Sequence, residues 1–95
     1  MVIRVKGYLT FRELVGERRL EVAKGLTVRA LLEQLEAELG ISFTVQIMDR
    51  RGGRQQYIPV LLNGRHCTHL PDGLDTVLSD SDQVDLFPPL AGGSS

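Results

Sequence analysis

The sequence describes an α+β domain in which one long helix lies across one sheet. The helix is written in "LTVRALLEQLEAELG" (26–40), where Val28, Leu31, Leu32, Leu35 and Leu39 form one apolar stripe at helical spacing. The strands are written in short stretches before and after it, where apolar and polar residues alternate. A third feature, the Asn-Gly pair ending "YIPVLLNG" (57–64), is a favoured type I′ hairpin turn.

Taken in order, "VIRVKGYL" (2–9) reads as the first strand, with Ile3, Val5 and Leu9 on one side and Arg4, Lys6 and Tyr8 on the other. "TFRELVGE" reads as a helical turn closing at Gly16, and "RRLEVA" as a second strand with Leu20 and Val22 facing the core. Together they predict a hairpin with a wide connection. The long helix follows, with Thr27 as N-cap and Gly40 just past its end. Glu33, Glu36 and Glu38 lie off its stripe and are expected in water. "FTVQIM" (43–48) alternates as a third strand, and "DRRGGR" has turn composition. In "YIPVLLNG", Pro59 demotes the first half to an edge or a bulge. "RHCTHL" leaves the Asn-Gly turn. "PDGLDTVLSDSD" is a loop with one apolar turn (Leu74, Val77, Leu78), and "QVDLF" (83–87) is the last strand.

Length and composition bound the function. The 95 residues make one domain. With 42% hydrophobic residues, no tryptophan, 2 tyrosines and 3 phenylalanines, the core must be mostly leucine and valine. A net charge of −1 with both signs interspersed argues against nucleic acid as the main partner, because phosphate binding wants a concentrated basic face. The opening "MVIRVKGYL" has charges where a secretory signal needs an apolar run, and no stretch reads as a membrane span. The single cysteine allows no internal disulfide. The expected compartment is the cytoplasm.

The ending, "DLFPPLAGGSS" (85–95), is the candidate functional segment. Pro88 and Pro89 fix φ and donate no hydrogen bond, so strand pairing stops near Phe87. Residues 88–93 then reach roughly 20 Å at about 3.3 Å per residue. Ala91, Gly92 and Gly93 have almost no side chain, so the segment can thread a narrow channel and present a carboxylate to a buried active site. The residues also allow a plainer reading: Gly-Gly-Ser-Ser alone is flexible linker composition, or a cloning remnant.

"FRELVG" (11–16), "GLTVRALLEQL" (25–35), "VLLNGR" (60–65), "LDTVLSDSDQV" (74–84) and "LFPPLAGG" (86–93) occur in one order along most of the chain. In this the sequence resembles the MoaD/ThiS group of ubiquitin-like β-grasp sulfur carriers, and most resembles its MoaD branch. Two departures stand out. Relatives usually carry Asp-Gly-Asp before the last strand where this chain has Asp80-Ser81-Asp82, and active members end at the second glycine.

The resemblance implies a β-grasp domain over 1–87, with a mixed sheet of four to five strands crossed by one main helix, and a flexible tail over 88–95. It further implies that an E1-like adenylating enzyme of the MoeB/ThiF type uses ATP to adenylate the Gly93 carboxylate. A sulfur donor, either a cysteine desulfurase or a sulfurtransferase, then converts it to a thiocarboxylate. Gly92 and Gly93 are the reacting end; the chain binds no cofactor and is a co-substrate, not an enzyme. Because Ser94 and Ser95 follow, Gly93 ends in an amide carbonyl until they are removed. The expected processing site is Gly93–Ser94, and the expected protease is a JAMM-type zinc metalloprotease. The pathway implied is molybdenum cofactor biosynthesis, with the large subunit of molybdopterin synthase as a further partner. Thiamin, cysteine and methionine synthesis stay open, as do a protein modifier joined through Gly93 to target lysines and a plain interaction module.

Partner contacts are expected at Tyr8, on the solvent side of strand one, and at Phe87, Pro88, Pro89, Leu90 and Ala91, with Arg12 and Arg65 flanking. Burial of the two aromatics in an aromatic-poor core is the alternative. His66, Cys67 and His69 invite a zinc reading but are too crowded for finger spacing, so hairpin and loop is the expectation and no metal site is assigned. Cys67 is an oxidation liability if exposed. Arg50, Arg51 and Arg54 read as a solvated tip, or else as a contact for an acidic partner.

Overall fold

The computed structural model describes residues 1–49, 56–57 and 59–88. Arg50, Arg51 and Arg54 of the basic loop lie outside the described residues, as do tail residues 89–95.

Two strands form the opening hairpin, β1 (Val2–Gly7) and β2 (Glu17–Glu21), paired antiparallel from Val2↔Glu21 to Lys6↔Glu17. Their connection holds the short helix α1 (Phe11–Leu14), which ends at Gly16 with φ +64°. The long helix α2 (Val28–Leu39) follows. Thr27 caps it as expected, its Oγ1 accepting from the Ala30 N–H at 3.1 Å, and Gly40 ends it with φ +83°. Further along come β5 (Val60–Leu62), β6 (Arg65–His66) and β7 (Gln83–Leu86), after an intervening segment treated below. The main sheet runs β2-β1-β7-β5-β6, with β1 and β7 parallel at its centre and the other pairs antiparallel. Five strands and one long helix make the α+β mixed sheet that the sequence predicts.

The core lies between α2 and one sheet face. Val28, Leu31, Leu32 and Leu35 bury the helix stripe against Ile3, Val5, Val60, Val84 and Leu86. Each such side chain is worth about 1.5–3 kcal/mol when fully buried. The helix period and the strand period therefore meet on a single apolar layer. Among the described residues, no helix is long and apolar enough to cross a membrane.

Several expectations are corrected. "FTVQIM" is not a third strand: it lies mostly in α3 (Ile41–Ile47), and only β3 (Met48–Asp49) pairs, with β4 (Gln56–Tyr57), in a separate two-stranded ribbon. The Gly40 carbonyl accepts from the N–H groups of Phe43 and Thr44, at 3.1 and 3.2 Å, and so starts a new helix where alternation suggested a strand. That turn delivers Phe43 into the core, fully buried and edge-on to Phe11 at 5.8 Å between ring centroids. Packing outweighs the local pattern here.

The first strand stops at Gly7, so Leu9 is not a core residue; it is 59% exposed. Glu36 is half-buried rather than in water. Of the expected apolar turn, Leu78 is buried and Leu74 half-buried, but Val77 is 56% exposed. Pro59 falls between β4, in the ribbon, and β5, in the main sheet, so the run is two separate strands and not one strand with an edge or bulged first half. Asn63 (φ 51°) and Gly64 (φ 84°) form the positive-φ turn of a type I′ hairpin.

The loop before β7 is held by its acidic residues. Asp82 accepts from Asn63 Nδ2 at 2.9 Å and from the Ser79 N–H at 2.7 Å, while Asp80 accepts from the Val2 N–H at 2.7 Å. Between them, Ser81 sits at φ +71°, in backbone space that favours glycine. Ser81→Gly is expected to stabilise the fold by roughly 0.5–1 kcal/mol, the relief of left-handed strain less the entropy of a freer unfolded chain. Urea denaturation measures it; a lowered midpoint would show that the serine side chain holds the turn.

Candidate functional site

The tail leaves from the middle of the sheet. Because β1 and β7 are parallel and Gly7 pairs with Leu86, the next residues, Tyr8 and Phe87, emerge side by side at one end. The Tyr8 N–H still donates to the Leu86 carbonyl at 3.0 Å, and the Phe87 N–H donates to the Pro59 carbonyl at 3.2 Å. Phe87 is thus tied to β5, and Pro88, with no N–H, ends the ladder.

Tyr8 and Phe87 stack on each other, ring centroids 4.4 Å apart and planes 7° from parallel. Both are half-buried, so they are neither free on the surface nor part of the core, whose aromatics are Phe11 and Phe43. Lys6 Nζ lies over the Tyr8 ring, 5.1 Å from its centroid, in cation–π range. Behind the pair, a Cβ added at Gly7 would fall 2.8 Å from Phe11 Cβ, so the turn into α1 needs glycine there. Along the same face of β7, Asp85 is buried and accepts from Gln83 Nε2 at 2.9 Å.

Of the flanking cations, Arg12 belongs to this corner: it is exposed on α1, and its N–H donates to the Leu9 carbonyl at 3.0 Å. Arg65 does not. It is exposed on edge strand β6, on the order of 10 Å from β7 by the spacing of two strands. Its register partner is Leu62, which pairs with Val84, well before the tail begins. Pro88 is half-buried at the tail's root. Pro89, Leu90, Ala91, Gly92, Gly93 and Ser94 lie outside the described residues.

The His66–His69 segment is the hairpin strand and a 3₁₀ turn (Cys67–His69). His66 Nδ1 accepts from the Thr68 N–H at 3.2 Å, and the two imidazoles are 5.9 Å apart. Among the described residues, no three His, Cys, Asp or Glu are grouped to hold a metal ion. Cys67 is buried, and desolvation pushes its thiol pKa above the ordinary 9.0, which disfavours the reactive thiolate.

Residues 8–93 match the ThiS family. The chain belongs to that family. It is 40% identical over 95 residues to small archaeal modifier protein 3 of Haloferax volcanii, covering 98% of this chain and all of that one. A second relative, from Archaeoglobus fulgidus and assigned as a sulfur carrier protein, is 31% identical over 80 residues, covering 83% of this chain and 89% of that one. In three dimensions the chain is similar to small archaeal modifier protein 1 of Methanosarcina acetivorans, at a TM-score of 0.74 and 29% identity, covering 97% of this chain and 96% of that one. The fold is thus the ubiquitin-like β-grasp, and Tyr8, at the site's edge, is the first residue of the family match.

Of the residues expected at this surface, Tyr8, Phe87 and Arg12 lie together at the root of the tail, and Leu9, which the alternation placed with the core residues, is exposed beside them. Phe87→Ala is expected to move the Tyr8 ring protons downfield, as the ring current of the stack is lost. It should cost about 0.5–1.5 kcal/mol in stability. Proton NMR and urea denaturation read both effects. For Cys67, iodoacetamide should leave the thiol unmodified in native buffer and alkylate it fully in concentrated guanidinium chloride. Rapid native alkylation would contradict its burial.

Proposed function

We propose that this chain is a sulfur carrier whose reactive group is the Gly93 carboxylate, freed by removal of Ser94 and Ser95. The observation that carries this reading is the extent of the family match, which runs through Gly92 to Gly93 and stops before Ser94. The fold supports it, because the central strand β7 and the Tyr8–Phe87 stack set the point from which the tail departs.

In the proposed reaction a carboxylate oxygen of Gly93 attacks the α-phosphate of ATP on an E1-like adenylating enzyme of the MoeB/ThiF type, and pyrophosphate leaves. A carboxylate is a poor acyl donor; the acyl-adenylate is a good one. Sulfur from a cysteine desulfurase or sulfurtransferase then displaces AMP; where the donor is a persulfide, a second thiol cleaves the S–S bond to release the thiocarboxylate. The carrier binds no cofactor of its own, and ATP belongs to the activating enzyme. Residues 1–87 are the docking body and 88–95 the tail, trimmed by a JAMM-type metalloprotease. The setting is the cytoplasm, and the pathway is molybdenum cofactor biosynthesis, with the large subunit of molybdopterin synthase as acceptor-side partner.

A second reading has its own support. The 40% identical relative is named a modifier protein, and conjugation to lysines through Gly93 would use the same tail and the same activation. Intact mass measurement on protein isolated from its native cells separates the two. A free chain ending at Gly93, one oxygen replaced by sulfur, is the expected result. High-mass conjugates bearing Gly93 isopeptides in place of any thioacid species would establish the modifier. Full-length, unmodified chain alone would count against both.

A further inference from the structure

We propose that Leu9 is a docking residue for the adenylating enzyme, held out of the core by a strained turn so that its side chain enters an apolar pocket on that enzyme. The proposal rests on the reading that the Gly93 carboxylate is adenylated, and it adds a contact surface to that reading.

Two observations on Leu9 agree. Its backbone adopts φ +55°, which a bulky side chain rarely does. The Phe11 N–H donates to the Tyr8 carbonyl at 3.0 Å across this turn, and Thr10 follows with φ −64° and ψ −23°. The signs of φ are those of a type II′ turn, whose first central position is a glycine position. The side chain is also 59% exposed, so little packing offsets the strain. A glycine or asparagine would be more comfortable there and would hide nothing. Strained residues that lack a packing return point to a surface role.

Position selects the partner. Two other large apolar residues are exposed among those described, Ile41 and Val77. Neither has a positive φ, Ile41 begins α3, and Val77 bridges to Thr27 beside the start of α2. Leu9 instead adjoins Tyr8, whose ring stacks on Phe87 where the tail begins. The tail reaches only roughly 20 Å beyond that point. An enzyme that closes on Gly93 must therefore bring its surface against the root of the tail, where Leu9 stands with the half-buried aromatic pair.

The test is calorimetric titration of the full 95-residue chain into the purified E1-like adenylating enzyme from the same cells, with thermal unfolding of each variant alongside. Leu9→Asn is expected to weaken binding about tenfold, as a moderate interface hot spot does. Its thermal midpoint should be unchanged or higher, since asparagine is among the residues that fill the positive-φ positions of primed turns. Leu9→Met, which keeps the apolar reach, should bind within about twofold of wild type. Wild-type binding by Leu9→Asn would overturn the proposal. So would a midpoint lowered by several degrees, which would make Leu9 a packing residue, or a loss of self-association in sedimentation with enzyme binding intact. A wild-type chain that binds the enzyme neither at full length nor trimmed to Gly93 would bring down the adenylation reading and Leu9 with it; binding that Leu9→Asn leaves untouched removes Leu9 alone.

Discussion

Parallel pairing of β1 with β7 at the centre of the sheet is the constraint on which the rest of this molecule depends. It joins residues 4–7 to residues 83–86, far apart in the sequence, through a ladder that neither could form locally. Parallel strands need a crossover, and the span between them supplies the helix that covers the sheet. The pairing also sets direction. Both strands run toward the same end, so the residue after each, Tyr8 and Phe87, must surface together. The tail of the chain is therefore anchored at a defined point by the best-protected part of the sheet.

The two ends of those central strands are treated differently. At the start of β7, the side chains of Asn63, Asp80 and Asp82 close the loops with hydrogen bonds that reach across to the Ser79 and Val2 backbones. Ser81 bears strain there within a network that holds it. At the other end, strain sits on Leu9 with the side chain turned outward, and the aromatic pair is packed on itself and not into the core. One end is stitched shut; the other is left as surface beside the departing tail.

Among the described residues, two side chains that could carry chemistry are held by their surroundings. Cys67 is buried with its thiolate disfavoured, and His66 is occupied with the backbone of its own turn. The acidic residues of the 79–82 loop serve hydrogen bonds. In the proposed reaction the chemistry falls to the Gly93 carboxylate, activated on the enzyme that receives it.

By itself the sequence determined every element whose pattern is long or chemically unambiguous. The stripe from Val28 to Leu39, the Thr27 cap and the Asn63-Gly64 turn are local statements, and each was met, because helix period, capping and positive φ depend on residues only a few positions apart. The diproline likewise ended strand pairing where it stood. Tertiary structure decided the rest. "FTVQIM" satisfied strand alternation, yet the place open to Phe43 against Phe11 required a helix, and packing outweighed a six-residue pattern. Leu9 continued the apolar alternation of β1, but the strand ends at Gly7 and the turn from Tyr8 to Phe11 leaves Leu9 exposed. The stacking of Tyr8 on Phe87 could not be read from either residue, because it follows from the parallel register of two strands more than seventy positions apart.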